Sequence, residues 1–225
     1  MSAKTSVSSI RVSEERILRA AARLFRARGF AGTSIRSIAE EAGVLPGSLT
    51  YRFRTKEDLI VALAERAVAH ALVEVQNAID VSRDPLERIR LGMRAHLRAL
   101  LSEDDAIPVL VFDLHRLPDR TRVRLLQARK PYDALWEGLC YGAIGAGQLA
   151  AGLNVALVMR FWFGATNSVA FWYRPDGPLT PDQIADAFST LIALGALSPS
   201  ARPESLEDAF KALAVSDAGA ARNIF

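Results

Sequence analysis

The sequence predicts an all-α protein of about nine helices, on three observations. Apolar residues recur at three- and four-residue intervals along most of the chain. The segments carrying that period are bounded by helix starts and stops: acidic or hydroxyl caps, Pro at first helical positions and Gly just past the last ones. No stretch shows the two-residue alternation of a convincing strand, and there is no internal repeat. With 225 residues, half of them apolar and 24% charged, the chain can bury a sizeable core and is not of the disordered class.

Taken in order, residues 1–12 are Ser-rich and polar and are expected to form a mobile arm. A helix is expected from Ser13, with Glu14 and Glu15 in its first turn, an inner face of Ile17, Ala20, Ala21, Leu24 and Phe25, and Gly29 as its stop. Thr33 or Ser34 caps a second helix with Ile35, Ile38, Ala39 and Ala42 inward, and Gly43 turns the chain. Pro46 opens a third, anchored only by Leu49 and Phe53. Thr55 caps a fourth, from Lys56 to about Asp80, and Asp84-Pro85 opens a fifth.

Beyond Glu103-Asp104-Asp105 a short helix is expected around Ile107 to His115. Pro118 starts a longer one that Pro131 should kink or split. Gly142, Gly145, Gly147 and Gly152 read as a loose connection. Asn154 caps a very apolar helix to Arg174, and Thr180-Pro181-Asp182-Gln183 is a capping box opening the last long helix, with Ile184, Phe188, Leu191 and Ile192 on one side. The tail from Ser198 is polar and Ala-rich, with a turn or two of helix at 204–214.

The stretch from Leu153 to Tyr173 is apolar enough to weigh against a membrane. Arg160 near its middle would cost about 2.5–3.5 kcal/mol at a bilayer centre. A helix buried on both faces of a soluble protein is the expectation, with no membrane partner. The single cysteine, Cys140, excludes an intramolecular disulfide and a Cys-based zinc site, and fits a cytoplasmic location. No metal or cofactor is implied. The formal net charge is only +3, but residues 1–60 carry eleven Lys or Arg against six Asp or Glu. A basic N-terminal third is the footprint of a phosphate-facing module.

That third holds the stretch on which function turns, TSIRSIAEEAGVLPGSLTYRFRTK at Thr33–Lys56. Two short helices across a Gly turn make a helix-turn-helix, whose second helix can enter a DNA major groove. The run RLFRARGF, then GTSIRSIAEEAGV, then PGSLTYRFRTKEDLIVAL is similar in residue type and offset to the TetR family of transcriptional repressors over about residues 13–65. Leu45 stands where that family usually has a Ser or Thr, Pro46 where a Lys or Arg is frequent, and Thr50 where an aromatic is common. The segment FWYRPDGPLTPDQIADAF resembles an acyl-CoA-sensing branch of the family, over a shorter length.

The resemblance implies a DNA-binding domain at 11–66, an effector-binding and dimerisation domain at 67–200 and a tail at 201–225. Thr33 and Ser34 are expected at a phosphate-binding helix N-terminus. Arg36, Arg54 and Lys56 are placed for phosphates. Pro46, Gly47, Ser48, Thr50, Tyr51 and Arg52 lie on the recognition helix, with Ser48, Thr50, Tyr51 and Arg52 as the candidates for base edges. The partners implied are double-stranded DNA with a near-palindromic operator, a second copy of the chain paired through the last two long helices, and a small apolar or acyl-CoA-type effector. Pocket candidates are Phe112, His115, Trp136, Trp162, Asn167 and Phe171. The alternatives are an activator, a regulator without a ligand, and a helical lipid-carrier or interaction protein. No catalytic constellation is present: His70, His96 and His115 fall on different helices without paired-ligand spacing, and no nucleophile motif occurs. The chain is not expected to be an enzyme.

Overall fold

The computed structural model describes residues 2–102 and 117–197. Among them are eight helices: α1 (Ser2–Arg28), α2 (Ile35–Ala42), α3 (Pro46–Arg52), α4 (Lys56–Ile79), α5 (Pro85–Leu100), α6 (Asp119–Gly145), α7 (Val155–Trp172) and α8 (Pro181–Ala196). The all-α class holds, with one isolated antiparallel bridge, Leu149 to Leu197, as the sole extended pairing among the described residues. The chain divides into two compact units. The first runs to Ala69 and includes the stretch ending at Lys130; the second runs from His70 to Ser102 and from Pro131 onward.

In the first unit, α1 starts at Ser2 and not at Ser13. No Pro or Gly lies between Ser2 and Arg28, so nothing in the backbone stops the helix there, and Ser13 sits inside it instead of capping it. The C-terminal end is as expected: Gly29 takes φ 70° and its N–H reaches the Phe25 carbonyl at 2.9 Å. Ile17, Leu24 and Phe25 of α1, Ile38 and Ala39 of α2, Leu49 of α3 and Leu59, Ile60 and Leu63 of α4 are buried together with Leu117 and Leu125. Removal of this many aliphatic side chains from water, at about 25 cal/mol per Å² of apolar surface, is what makes such short helices stable. The N-terminus of α4 carries a reciprocal cap. Thr55 Oγ1 accepts from the Asp58 N–H at 3.1 Å, and Asp58 accepts from the Thr55 N–H at 3.2 Å.

In the second unit, α5 packs along α8, and α7 touches both. The α5 start is capped by Asp84, which accepts from the Glu87 N–H at 2.7 Å. Asn154 caps α7 by accepting from the Leu157 N–H at 3.1 Å. Thr180 and Gln183 form the expected box at α8. Three expectations are corrected here. Pro131 lies within a single α6, which is not split; the first unit's share ends at Lys130 and the second's begins at Pro131. The glycine-rich connection is also shorter, since Gly142 and Gly145 are still helical and only Gly147 takes a positive φ, 72°. Helix α7 is not buried on both faces. It covers Val155, Met159, Trp162, Phe163, Thr166 and Val169 and leaves Leu157, Phe161 and Phe171 exposed. No helix among the described residues is long and apolar enough to cross a membrane.

Candidate nucleic-acid interface

The helix-turn-helix is held from behind by α1. Helix α2 begins at Ser34, whose Oγ accepts from the Ser37 N–H at 3.0 Å while Ser37 Oγ accepts from the Ser34 N–H at 3.1 Å. It ends at Gly43, φ 62°, which lets the chain turn sharply into α3; a Cβ there would meet Arg16 Nη2 at 2.7 Å. Arg16 itself reaches toward the Gly43 carbonyl at 3.4 Å, and Arg23 pairs with Glu41 at 2.9 Å, so α1 is tied to both the turn and α2.

Helix α3 begins at Leu45 without a side-chain cap, with Pro46 at its first position. Its seven residues show a sharp division. Leu49 is fully buried, while Pro46, Gly47, Ser48, Thr50 and Tyr51 face solvent, Tyr51 at 89% exposure. A buried Leu on a helix of this length leaves nearly everything else for a partner, and Leu45, 76% exposed beside it, extends that surface. The Thr50 hydroxyl is turned back to the carbonyls of Pro46 and Gly47, at 3.1 and 3.2 Å, so its methyl is the part offered outward. Gly47 adds no bulk, and a Cβ there would meet nothing within 4 Å.

The remaining candidates fall into distinct settings. Ser34, Arg36 and Arg54 are exposed, with Arg36 bridged to Glu40 at 3.0 Å on its own helix. Thr33 is 3% exposed, and its hydroxyl is shared between the carbonyls of Leu24 and Gly29 at 3.1 and 2.9 Å; it latches α2 to the end of α1. Lys56 donates to the Phe30 carbonyl at 2.7 Å and sits 4.5 Å over the Phe30 ring, a packed cation with further N–H donors to spare. Arg52 donates to Glu14 of α1 at 2.9 Å and is only 20% exposed.

The pocket candidates are spread out. Phe112 and His115 lie outside the described residues. Trp136 and Trp162 are buried, and neither indole N–H has a hydrogen-bond partner among the described residues. Asn167 Oδ1 accepts from His96 Nε2 at 3.2 Å, while His96 Nδ1 meets the Tyr132 hydroxyl at 2.9 Å. Trp136 and Phe163 stand edge-on to His96 and to each other. Thus Trp136 and Asn167 belong to one cluster, built on His96, Tyr132 and Phe163, which the sequence did not single out. Phe171 is exposed on α7. Burial, with the nearby Glu137 charge adding to it, pushes the Cys140 thiol up to about 11, so it stays protonated and unreactive near neutral pH.

Comparisons with known proteins agree with this arrangement. Residues 82–196 match the family model described as the tetracyclin repressor-like C-terminal domain, and residues 17–63 that of the bacterial regulatory proteins of the tetR family. The chain is 29% identical over 180 residues to the HTH-type transcriptional repressor KstR2 of Mycobacterium tuberculosis, covering 80% of this chain and 90% of that one. The structure of that ketosteroid transcriptional regulator matches with a TM-score of 0.68 at 28% identity, covering 82% and 95%. The structure of AibR in complex with isovaleryl coenzyme A and operator DNA shares the fold at TM-score 0.70 and 24% identity, covering 80% and 97%. A C-terminal match spanning half of the chain, joined to an N-terminal match over the helix-turn-helix, places this chain in the TetR family of bacterial transcriptional regulators.

Proposed function

We propose that the protein is a homodimeric transcriptional repressor that reads a near-palindromic operator through α3 and leaves it when a small apolar or acyl-CoA-type ligand binds the C-terminal region. The observation that carries the DNA-reading half is the exposure of nearly the whole of α3 over a core held rigid by α1, α2 and α4. Residues 11–66 form the DNA-binding domain, 67–200 the effector and dimerisation domain, and 201–225 a tail. The setting is the cytoplasm, and no catalysis is involved.

The exposure of these positions and the helix-turn-helix arrangement support the following roles. Ser34, Arg36, Arg54 and Lys56 meet phosphates, and Thr33 supports them from inside as a latch. Pro46 and Gly47 allow close approach of the groove wall. Ser48, Thr50, Tyr51 and Arg52 face the bases, with the Thr50 methyl suited to a thymine methyl. The ligand half is supported by Trp136 and Trp162. Two buried N–H donors without partners are costly in an apolar setting, and an uncharged acceptor such as a keto or thioester carbonyl would satisfy one. Two relatives are named as a ketosteroid transcriptional regulator and a fatty acid metabolism regulator, names that fit a ligand of that chemistry.

Selection of duplexes from a random library on the purified protein tests the reading. A recovered sequence with two-fold symmetry is expected, and Tyr51→Ala should weaken binding to it by about 1–3 kcal/mol while mixed-sequence binding changes little. Equal affinity for selected and mixed DNA at every salt concentration would sink it.

A further inference from the structure

Arg52 is the only cation on α3, and it does not stand free. Its Nη1 lies 2.9 Å from Glu14 Oε2, and its side chain is four-fifths covered, whereas Ser48, one turn earlier on the same face, and Tyr51 beside it are open. Glu14 is itself about half exposed. The adjacent Glu15 is engaged elsewhere, with Arg19 at 3.4 Å and Arg66 at 3.8 Å. So the charge of the recognition helix is held by one carboxylate of α1.

With the Glu14 carboxylate half open to water, this single pair is screened and weak enough to be exchanged. A phosphate or a guanine edge offers the guanidinium a bidentate acceptor in its place. The exchange is favourable only where the acceptor is well placed, because it leaves the Glu14 carboxylate unpaired close to a polyanion. Loosely held, non-operator DNA does not provide such an acceptor. We propose that Glu14 is a specificity-determining residue: it keeps Arg52 off non-operator DNA and releases it only to a correctly seated operator. This rests on the DNA-reading role proposed above.

The test compares wild type, Glu14→Gln, Arg52→Ala and the double variant on a mixed-sequence duplex and on the duplex recovered by selection. Glutamine keeps the size and removes the charge. Glu14→Gln is expected to bind mixed-sequence DNA about two- to fivefold more tightly. Its log–log salt dependence should steepen by about 0.9, one more phosphate neutralised. Operator affinity should change less, so the specificity ratio falls, and the gain should vanish in the Arg52→Ala background.

Four outcomes overturn the proposal: an unchanged or weaker mixed-sequence affinity, an unchanged salt slope, an equal gain on both duplexes, or a gain that survives Arg52→Ala. The first two make the pair a plain strut, the third removes discrimination, and the fourth reduces Glu14 to diffuse charge. Failure of the wild type to prefer the selected duplex would instead remove the underlying DNA-reading role.

Discussion

The buried polar chain Tyr132–His96–Asn167 shows what single residues contribute in the second unit. With the Asn167 carbonyl oxygen toward Nε2, that nitrogen is the donor, and in the neutral ring Nδ1 then accepts from the Tyr132 hydroxyl. Each ring atom is then matched in an environment where an unmatched one is expensive. Tyr132→Phe keeps the ring and deletes the donor, and should lower unfolding free energy by about 1–2 kcal/mol in a denaturant titration. A change below a few tenths would mean that the Nδ1 bond is idle. Asn167 was legible as a site of interest because it is a polar residue in the very apolar run of α7. Its partner was not. His96 lies in LERIRLGMRAHLRALL, where period marks an inner face but cannot tell that a histidine on it meets an acceptor 71 residues away. At residue scale the helix-turn-helix was read better for exposure than for pairing: spacing put Arg52 and Thr33 near the interface, but not the Glu14 and carbonyl partners that occupy them.

Elements are where local signals worked best, because caps and turns are encoded within four residues. Ser34, Gly43, Thr55, Asp84, Asn154 and Thr180 each sit where their chemistry placed them. The extra turns of α1 escaped because a Ser-rich polar run reads as an arm even where no Pro or Gly stops the helix, and the unbroken α6 because an internal Pro reads as a break. Packing between elements supplies two predictions. Gly92 on α5 is a small residue by necessity: a Cβ would come within 3.0 Å of Trp136 and 3.3 Å of Ile79 Cγ2. Alanine gains about 1 kcal/mol of helix propensity, but the fully buried Trp136 has no room to yield, and overpacking costs about 1–3 kcal/mol. Gly92→Ala should therefore be destabilising by about 1 kcal/mol in thermal or denaturant unfolding; a stabilised variant would show that Trp136 can shift.

The second element-scale prediction concerns the seam between α5 and α8. Asp186 accepts from Arg90 at 3.0 Å and from Arg94 Nε at 2.7 Å, and Asp182 accepts from Arg98 Nε at 2.7 Å. Burial alone would raise the Asp186 carboxyl, but the hydrogen bonds and charges of Arg94 and Arg90 outweigh it and hold the group below the usual carboxylate range. A depressed folded-state value stabilises the fold above the unfolded value of about 3.9, and that contribution disappears as pH falls through the folded one. Stability should thus be lost on the acid side below about pH 4. Asp186→Asn should reduce stability at neutral pH and flatten that acid limb. An identical pH profile for both proteins would show that the seam contributes nothing.

At the scale of the whole molecule, the decisive surface is the outer face of α7 and α8. Leu157, Phe161 and Phe171 of α7 and Leu191 of α8 are exposed together, with Phe161 66% accessible in one copy of the chain. From sequence this appeared only as all-round apolarity, since period cannot separate a face that meets the chain's own core from one that meets a second copy. The structure separates the two faces: Trp162, Phe163 and Val169 turn inward, while Leu157 and Phe161 are exposed and available to the proposed second copy. In the proposed dimer, operator half-sites about 34–36 Å apart require both recognition helices to be joined, and this face would join them. Phe161→Glu places a charge on this face at a largely exposed position, and the fold should survive. Sedimentation should then report a monomer at concentrations where wild type is a dimer. Affinity for a two-half-site operator should fall by about a hundredfold or more, the loss of effective concentration when the second arm is no longer tethered. The single-half-site affinity should stay the same, because α3 and its support in the first unit are untouched. A dimer of unchanged operator affinity would place the mating surface elsewhere.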